Sequence, residues 1–399
     1  LTPKKFNAPR KGENMPLYGM RKFVAPEFIF GVGARRRAGF YAQHLQARRV
    51  LVVTDPGVIQ AGWLQELLTN LEECGLQSVV FSEVTPNPRD YTVMAGTQIY
   101  RDQGCDVIVA LGGGSVIDCA KGIGIVSANG GHILDFEGVD RIPHPGPPLI
   151  CIPTTAGTAA DISQFAIINN SAQRYKAAII SKSVVPDVAL VDPETTLTVD
   201  PYLTACTGLD ALTHAIEAYV STASSPVVDV HALAAIALVR DNLPQSIADP
   251  ANLATREGMM LASLQAGLAF SNASLGAVHA MAHSLGGYLD LPHGESNALL
   301  LEHVVRFNYH TAEDRYQRIG EALGISLAGT STASREQRIT QSLQALREAC
   351  GIRDGLAERG VTYGAIADLA PPAVHDACLF TNPRRANLAD IKTIYAEAL

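Results

Sequence analysis

An α/β part on a doubly wound parallel sheet, followed by an all-α part, is the fold class this sequence predicts, and three observations carry the prediction. The first half alternates short β-branched runs with helix-length segments. From Pro201 onward, Ala- and Leu-rich stretches with 3.6-residue periodicity take over. Between these, the glycine-rich segment Leu111-Gly112-Gly113-Gly114-Ser115 passes directly from a strand pattern into a helix pattern.

Taken in order, Arg48–Asp55 reads as a buried strand, residues 58–74 as a helix, Ser78–Val84 as a strand and 89–103 as a helix. Asp106–Leu111 and Pro148–Pro153 are further strands, and strands separated by helices make a parallel sheet. Helices are expected over 201–222, 226–242, 253–270, 274–288, 295–309, 311–323 and 334–350. The boundary falls near Val191-Asp192-Pro193, giving residues 1–192 and 193–399, and no internal repeat is present.

Composition narrows the function. The 399 residues are 47% hydrophobic and 18% charged, which fits a compact globular protein. A net charge of −8 argues against nucleic acid as a partner. Seven widely spaced cysteines without a Cys-x-x-Cys pair read as reduced thiols, and hence as a cytoplasmic protein. Lys4, Lys5, Arg10 and Lys11 are not followed by an apolar run, and no stretch reaches the ~18 apolar residues of a membrane span, so neither export nor insertion is expected.

The chemistry concentrates in residues 276–294. His279 and His283 are four apart, so a helix projects both from one face, and His293 follows in a Pro-His-Gly turn. Upstream, Asp210 and His214 repeat the spacing. Either pair alone has an ordinary account as hydrogen-bonded core histidines. Together they offer a carboxylate and up to four imidazoles, a set for iron or zinc and not for calcium or magnesium.

At the other end, the turn at 112–115 lets backbone N–H groups approach a diphosphate at a helix N-terminus, in a Rossmann-like manner, although it matches neither GxGxxG nor a Walker A loop. A plain tight turn would look the same. Asp55, ending the first strand, could accept a ribose diol and repel a 2′-phosphate, or simply cap the helix that follows. Pro153-Thr154-Thr155-Ala156-Gly157-Thr158 presents three hydroxyls on a turn that could line a cofactor or satisfy its own backbone.

These segments, with Gly208–Tyr219, Val278–Gly286, Pro292-His293-Gly294 and Thr381-Asn382-Pro383-Arg384, resemble the iron-containing (group III) alcohol dehydrogenase family, whose fold is dehydroquinate synthase-like. The resemblance runs from about residue 21 to the end. It implies metal ligation by Asp210, His214, His279 and His293, with His283 left near the substrate as a proton relay. It also implies NAD contacts from Asp55, Asn87, Gly113, Gly114, Ser115, Asp118, Thr154, Thr155, Thr158 and Lys176. Two departures are visible: Ala159-Ala160-Asp161 stands where many members read Gly-Ser-Glu, and Ala280 where a glycine is common.

The activity implied is reversible hydride transfer between a small primary alcohol or aldehyde and NAD(H), with Fe2+ or Zn2+ as the metal. Phe165, Phe270 and Cys378 are the expected apolar wall of the alcohol pocket. A hydroxyacid–oxoacid transhydrogenase that keeps its NAD, or a metabolite-sensing regulator without turnover, would use the same scaffold. A homodimer or larger homo-oligomer is expected, with the apolar run Phe23–Gly31 a candidate for pairing across a two-fold axis.

Overall fold

The structure is a computed structural model that describes residues 21–173 and 175–399; the basic residues Lys4, Lys5, Arg10 and Lys11 lie outside them. The strands are β1 (Glu27–Phe30), β2 (Arg49–Val53), β3 (Gln77–Phe81), β4 (Val107–Gly112), β5 (Gly138–Val139), β6 (Leu149–Pro153), β7 (Phe165–Asn170), β8 (Tyr175–Ile180) and β9 (Val188–Val191). Six of them form one parallel sheet in the order β1-β9-β6-β4-β2-β3, and β5, β8 and β7 form a second, smaller one.

The helices between the strands are α1 (Ala38–His44), α2 (Pro56–Gln60), α3 (Trp63–Glu73), α4 (Asp90–Asp102) and α5 (Gly114–Asn129). Period-two alternation splits the sheet's side chains between two cores. Leu51 and Val53 join Phe81, Val93, Ile117 and Ile123 beneath α4 and α5, whereas Val50 and Val52 join Ala38, Leu67 and Leu71 beneath α1 and α3. Each of the Val, Leu, Ile and Phe side chains contributes about 1.5–3 kcal/mol by leaving water.

The helical part comprises α6 (Pro201–Val220), α7 (Pro226–Ala248), α8 (Leu253–Ala273), α9 (Ala277–Leu289), α10 (His293–Asn308), α11 (Glu313–Ala322), α12 (Thr332–Ala349), α13 (Ile366–His375) and α14 (Leu388–Glu397). Asp200 starts α6 by accepting the Leu203 N–H at 3.0 Å, with Pro201 at the first helical position. Nearly every residue of α6 from Thr204 to Val220 is buried. A helix covered on all sides is the axis of its domain.

Several elements depart from the sequence reading. The helix expected over 58–74 is two helices, because Gly62 takes a left-handed φ of 87° and breaks it. β7 and β8 were not foreseen: their runs, Phe165–Asn170 and Tyr175–Ile180, are buried almost throughout, so no alternation marks them. α13 and α14 also went unseen, and α13 carries Pro371 and Pro372 inside it, where proline ordinarily signals an end. The Phe23–Gly31 run contributes β1, an edge strand paired with β9 whose Phe28 is exposed. Among the described residues, no helix is long and apolar enough to cross a membrane.

Candidate metal centre and active site

α6, α9 and α10 bring four candidate ligands to one point. The Nε2 atoms of His214, His279 and His293 lie 3.8, 3.7 and 3.9 Å from Asp210 Oδ1. Such a close approach needs glycine. A Cβ on Gly294 would overlap the backbone oxygen of Cys206, so only glycine lets the start of α10 touch α6 and carry His293 to Asp210. A Cβ on Gly157 would likewise overlap the Thr207 carbonyl, so the turn at 153–158 docks on α6 one residue further along.

Buried partners orient the ligands. Glu217, buried on α6, accepts the N–H groups of Gly276 and Val278 at the start of α9, and its Oε2 lies 2.6 Å from His279 Nδ1. The ring is thus held with Nε2 toward Asp210, the arrangement by which a carboxylate sets the tautomer of a metal-bound histidine. Asn297 Nδ2 donates to Asp210 Oδ1 at 2.7 Å. Residues 210, 214 and 217 share one helix face, so spacing alone could have included Glu217.

The electrostatics fit a single divalent ion. Burial pushes His214 down to about 4 and His293 well below the ordinary imidazole range. Against the same burial, the carboxylates of Asp210 and Glu217 raise His279 to about 9, and the three imidazoles hold Asp210 far below the usual carboxylate range. His293 Nδ1 is buried without a partner. One carboxylate oxygen and three converging imidazole nitrogens form a donor set suited to a transition metal, and an ion bound there would replace the proton that the two carboxylates draw to His279.

The opposite wall is built around main chain. Gly112 of β4 pairs with Pro153 of β6, so the turns leaving the two strands start level. A Cβ on Gly114 would sit 2.7 Å from Thr158 Oγ1, so glycine is what allows the turns to nest. α5 has no side-chain cap, which leaves its first N–H groups for a ligand. Thr54 Oγ1 donates to Leu111 O at 2.8 Å and ties the end of β2 to this turn. Beside it, Asp55 Oδ1 accepts the Val58 N–H at 2.9 Å as a helix cap.

A cavity of about 110 Å³ lies between the two walls. Asn87, Gly114, Ser115, Asp118, Thr158 and Lys176 line it from one side; Asp210, His214, His279, His283 and His293 line it from the other. Burial draws Lys176 down to about 8 and lifts Asp118 to about 6. Asp55, Gly113, Thr154 and Thr155 stand in the adjoining turns and do not line this cavity. Asn87 reaches across to the helical part, donating to Asp290 Oδ1 at 2.7 Å.

Phe165 and Phe270 form an apolar wall with ring centroids 5.6 Å apart, and Phe270 stacks on His214 at 4.2 Å. Ile167 and Leu275 complete it, neither marked by the sequence reading. Cys378, expected in this wall, is fully buried and does not line the cavity; its N–H is bound to Asp376, and it packs behind His283.

The family described as iron-containing alcohol dehydrogenase matches residues 25–193, and its C-terminal counterpart matches residues 204–399. Relatives include the NAD-dependent methanol dehydrogenase of Bacillus methanolicus, 38% identical over 94% of this chain and 99% of the relative. The 1,3-propanediol dehydrogenase of Citrobacter freundii is 40% identical over 96% of this chain and 99% of its own. A crystal structure of a 1,3-propanediol oxidoreductase superposes with a TM-score of 0.92 at 38% identity, covering 96% of this chain and all of that one. A match that spans both halves of the chain makes this protein a member of the iron-containing alcohol dehydrogenase family.

Proposed function

We propose that the protein is an NAD-dependent, iron-type alcohol dehydrogenase that interconverts small primary alcohols and their aldehydes. One observation carries the reading: three imidazole nitrogens and a carboxylate oxygen converge on a cavity whose facing wall is an uncapped helix N-terminus behind a glycine turn. In this reading residues 1–192 bind NAD and residues 193–399 hold the metal and the alcohol.

Asp210, His214, His279 and His293 would hold the ion, which when bound supplies Lewis acidity toward the alcohol oxygen. The remaining work falls to the chain. Backbone N–H groups at Gly113, Gly114 and Ser115 receive the cofactor's diphosphate, while Asn87, Asp118, Thr154, Thr155, Thr158 and Lys176 surround it. Asp55 accepts the ribose diol through the oxygen not used as a cap. Phe165, Phe270, Ile167 and Leu275 exclude water from the hydride path and hold the alcohol against the nicotinamide. His283 receives the hydroxyl proton.

Short substrates are in keeping with relatives named for methanol and 1,3-propanediol. Assembly as a homodimer or larger homo-oligomer and a cytoplasmic location belong to the same proposal. The test is a panel of short-chain alcohols and aldehydes assayed with free NAD(H), beside metal analysis of the purified protein. Turnover with free cofactor and stoichiometric metal is expected. Exchange between a hydroxyacid and an oxoacid without turnover of free NAD would mean a transhydrogenase, and no chemistry with either would mean a regulator.

A further inference from the structure

Behind the cavity face of α9, His283 meets two side chains that the reading above does not use. His283 Nδ1 is 2.8 Å from Asp376 Oδ2, and Asp376 Oδ1 accepts the backbone N–H of Cys378 at 2.7 Å. His283, Asp376 and Cys378 bring their ligand-type atoms within 4.8 Å of one another, as a metal site would. Yet both Asp376 oxygens are already engaged. Burial, reinforced by the Asp376 carboxylate, pushes the Cys378 thiol well above its ordinary value, so the sulfur stays protonated.

The same geometry does fix a proton. An ionised carboxylate only accepts hydrogen bonds, so the ring nitrogen that faces it carries the hydrogen. Although burial favours the neutral acid, His283 and the Cys378 N–H outweigh it and hold Asp376 below its ordinary value. With Nδ1 protonated, a neutral His283 keeps its free lone pair on Nε2, and His283 lines the cavity.

We infer that Asp376 is the positioning residue of the proton-transfer step, fixing His283 as the Nδ1–H tautomer and so presenting Nε2 to the cavity as acceptor for the substrate's hydroxyl proton. In the oxidative direction that proton moves from the alcohol oxygen to Nε2, Nδ1–H stays against Asp376, and the buried carboxylate balances the imidazolium until Nε2 releases its proton to water. The inference rests on the relay role proposed for His283.

Asp376→Asn tests it with almost no change of shape. The Cys378 N–H requires an acceptor, so it retains the amide oxygen on its own side and turns the NH2 toward the ring. A donor facing Nδ1 reverses the tautomer and leaves Nε2 protonated. The expected result is a loss of about 10- to 10⁴-fold in kcat, the range of general acid–base contributions, with metal content, NAD affinity and the KM for alcohol unchanged. In ¹⁵N NMR of the zinc-loaded full chain, His283 should carry hydrogen on Nδ1 in the wild type and on Nε2 in the variant.

Unchanged kcat in Asp376→Asn, or a wild-type His283 protonated on Nε2, would overturn the inference. Asp376→Ala in a His283→Ala background should cost nothing further, and an additional loss there would show that Asp376 acts by another route. If His283→Ala is fully active, the relay reading fails, while the wild-type tautomer still reports whether Asp376 holds the ring. Should Asp376→Asn not fold, that wild-type spectrum decides the question.

Discussion

The two walls of the cavity are built from different materials. On the helical side every candidate ligand is a side chain, and two of the four are held by a particular buried partner: Glu217 for His279, Asn297 for Asp210. On the sheet side much of the surface is main chain, shaped by glycines at 112–114 and by the nested turn at 153–158, with side chains such as Asp118 and Lys176 set around it. Side-chain walls concentrate function in few positions; main-chain walls spread it. Single substitutions should therefore be severe on the first wall and graded on the second.

His279→Ala should give the largest effect, because it removes one ligand and strands the buried Glu217 charge. Loss of a Lewis-acid ion worth several kcal/mol lowers kcat/KM by more than about 10³-fold. Metal analysis should find less than about half the wild-type content, since disturbing ligands and their supports typically costs 10–100-fold in affinity. NAD binding, followed by fluorescence titration, should survive. Coupled loss of NAD binding would break the division between the walls, and normal metal with full activity would remove His279 from the ligand set.

His283→Ala sharpens the comparison within the helical wall. It shares α9 with His279 but is held by Asp376, so it should keep its metal and NAD and lose about 10- to 10⁴-fold in kcat. Metal loss in this variant would make His283 a ligand.

On the sheet side, Asp55→Ser preserves a helix cap while deleting the carboxylate. The NADP/NAD ratio of kcat/KM should rise about 10- to 100-fold, the equivalent of about 1.5–3 kcal/mol for hydrogen bonds to a charged group. An unchanged ratio would leave Asp55 as a cap only.

The smallest effect is expected at the seam. Ala159 follows the 153–158 turn with a left-handed φ of 46°, a conformation that costs a residue with a Cβ about 1–2 kcal/mol. Ala159→Gly should stabilise the protein by about 0.5–1 kcal/mol after the greater freedom of an unfolded glycine is subtracted. Denaturant unfolding gives the sign, and destabilisation would mean that the methyl's packing outweighs the strain.

Much of this was legible in the sequence where periodicity carries information. The i, i+4 pairs Asp210/His214 and His279/His283 advertise their shared helix faces, and the strand-to-helix glycine turn advertises its uncapped N–H groups. What stayed hidden depends on contacts distant in sequence. Asp376 meets His283 across 93 residues, with no local pattern to announce it. Cys378 lies in an apolar stretch that looks the same whether it faces a cavity or packs behind one. β7 and β8 are buried on both faces and so lose the alternation that would mark them.

α6 receives the 153–158 turn at Thr207 and the start of α10 at Cys206, in both cases through a glycine pressed on bare backbone. The spacing between the two walls is therefore gauged along one helix by main-chain atoms, and not by the side chains that line the cavity. For redesign this separates two problems that are usually entangled. Phe165, Ile167 and Leu275 can be exchanged to admit bulkier alcohols without touching a candidate ligand, whereas Phe270 is stacked on His214 and libraries that vary Gly157 or Gly294 will return mostly inactive clones.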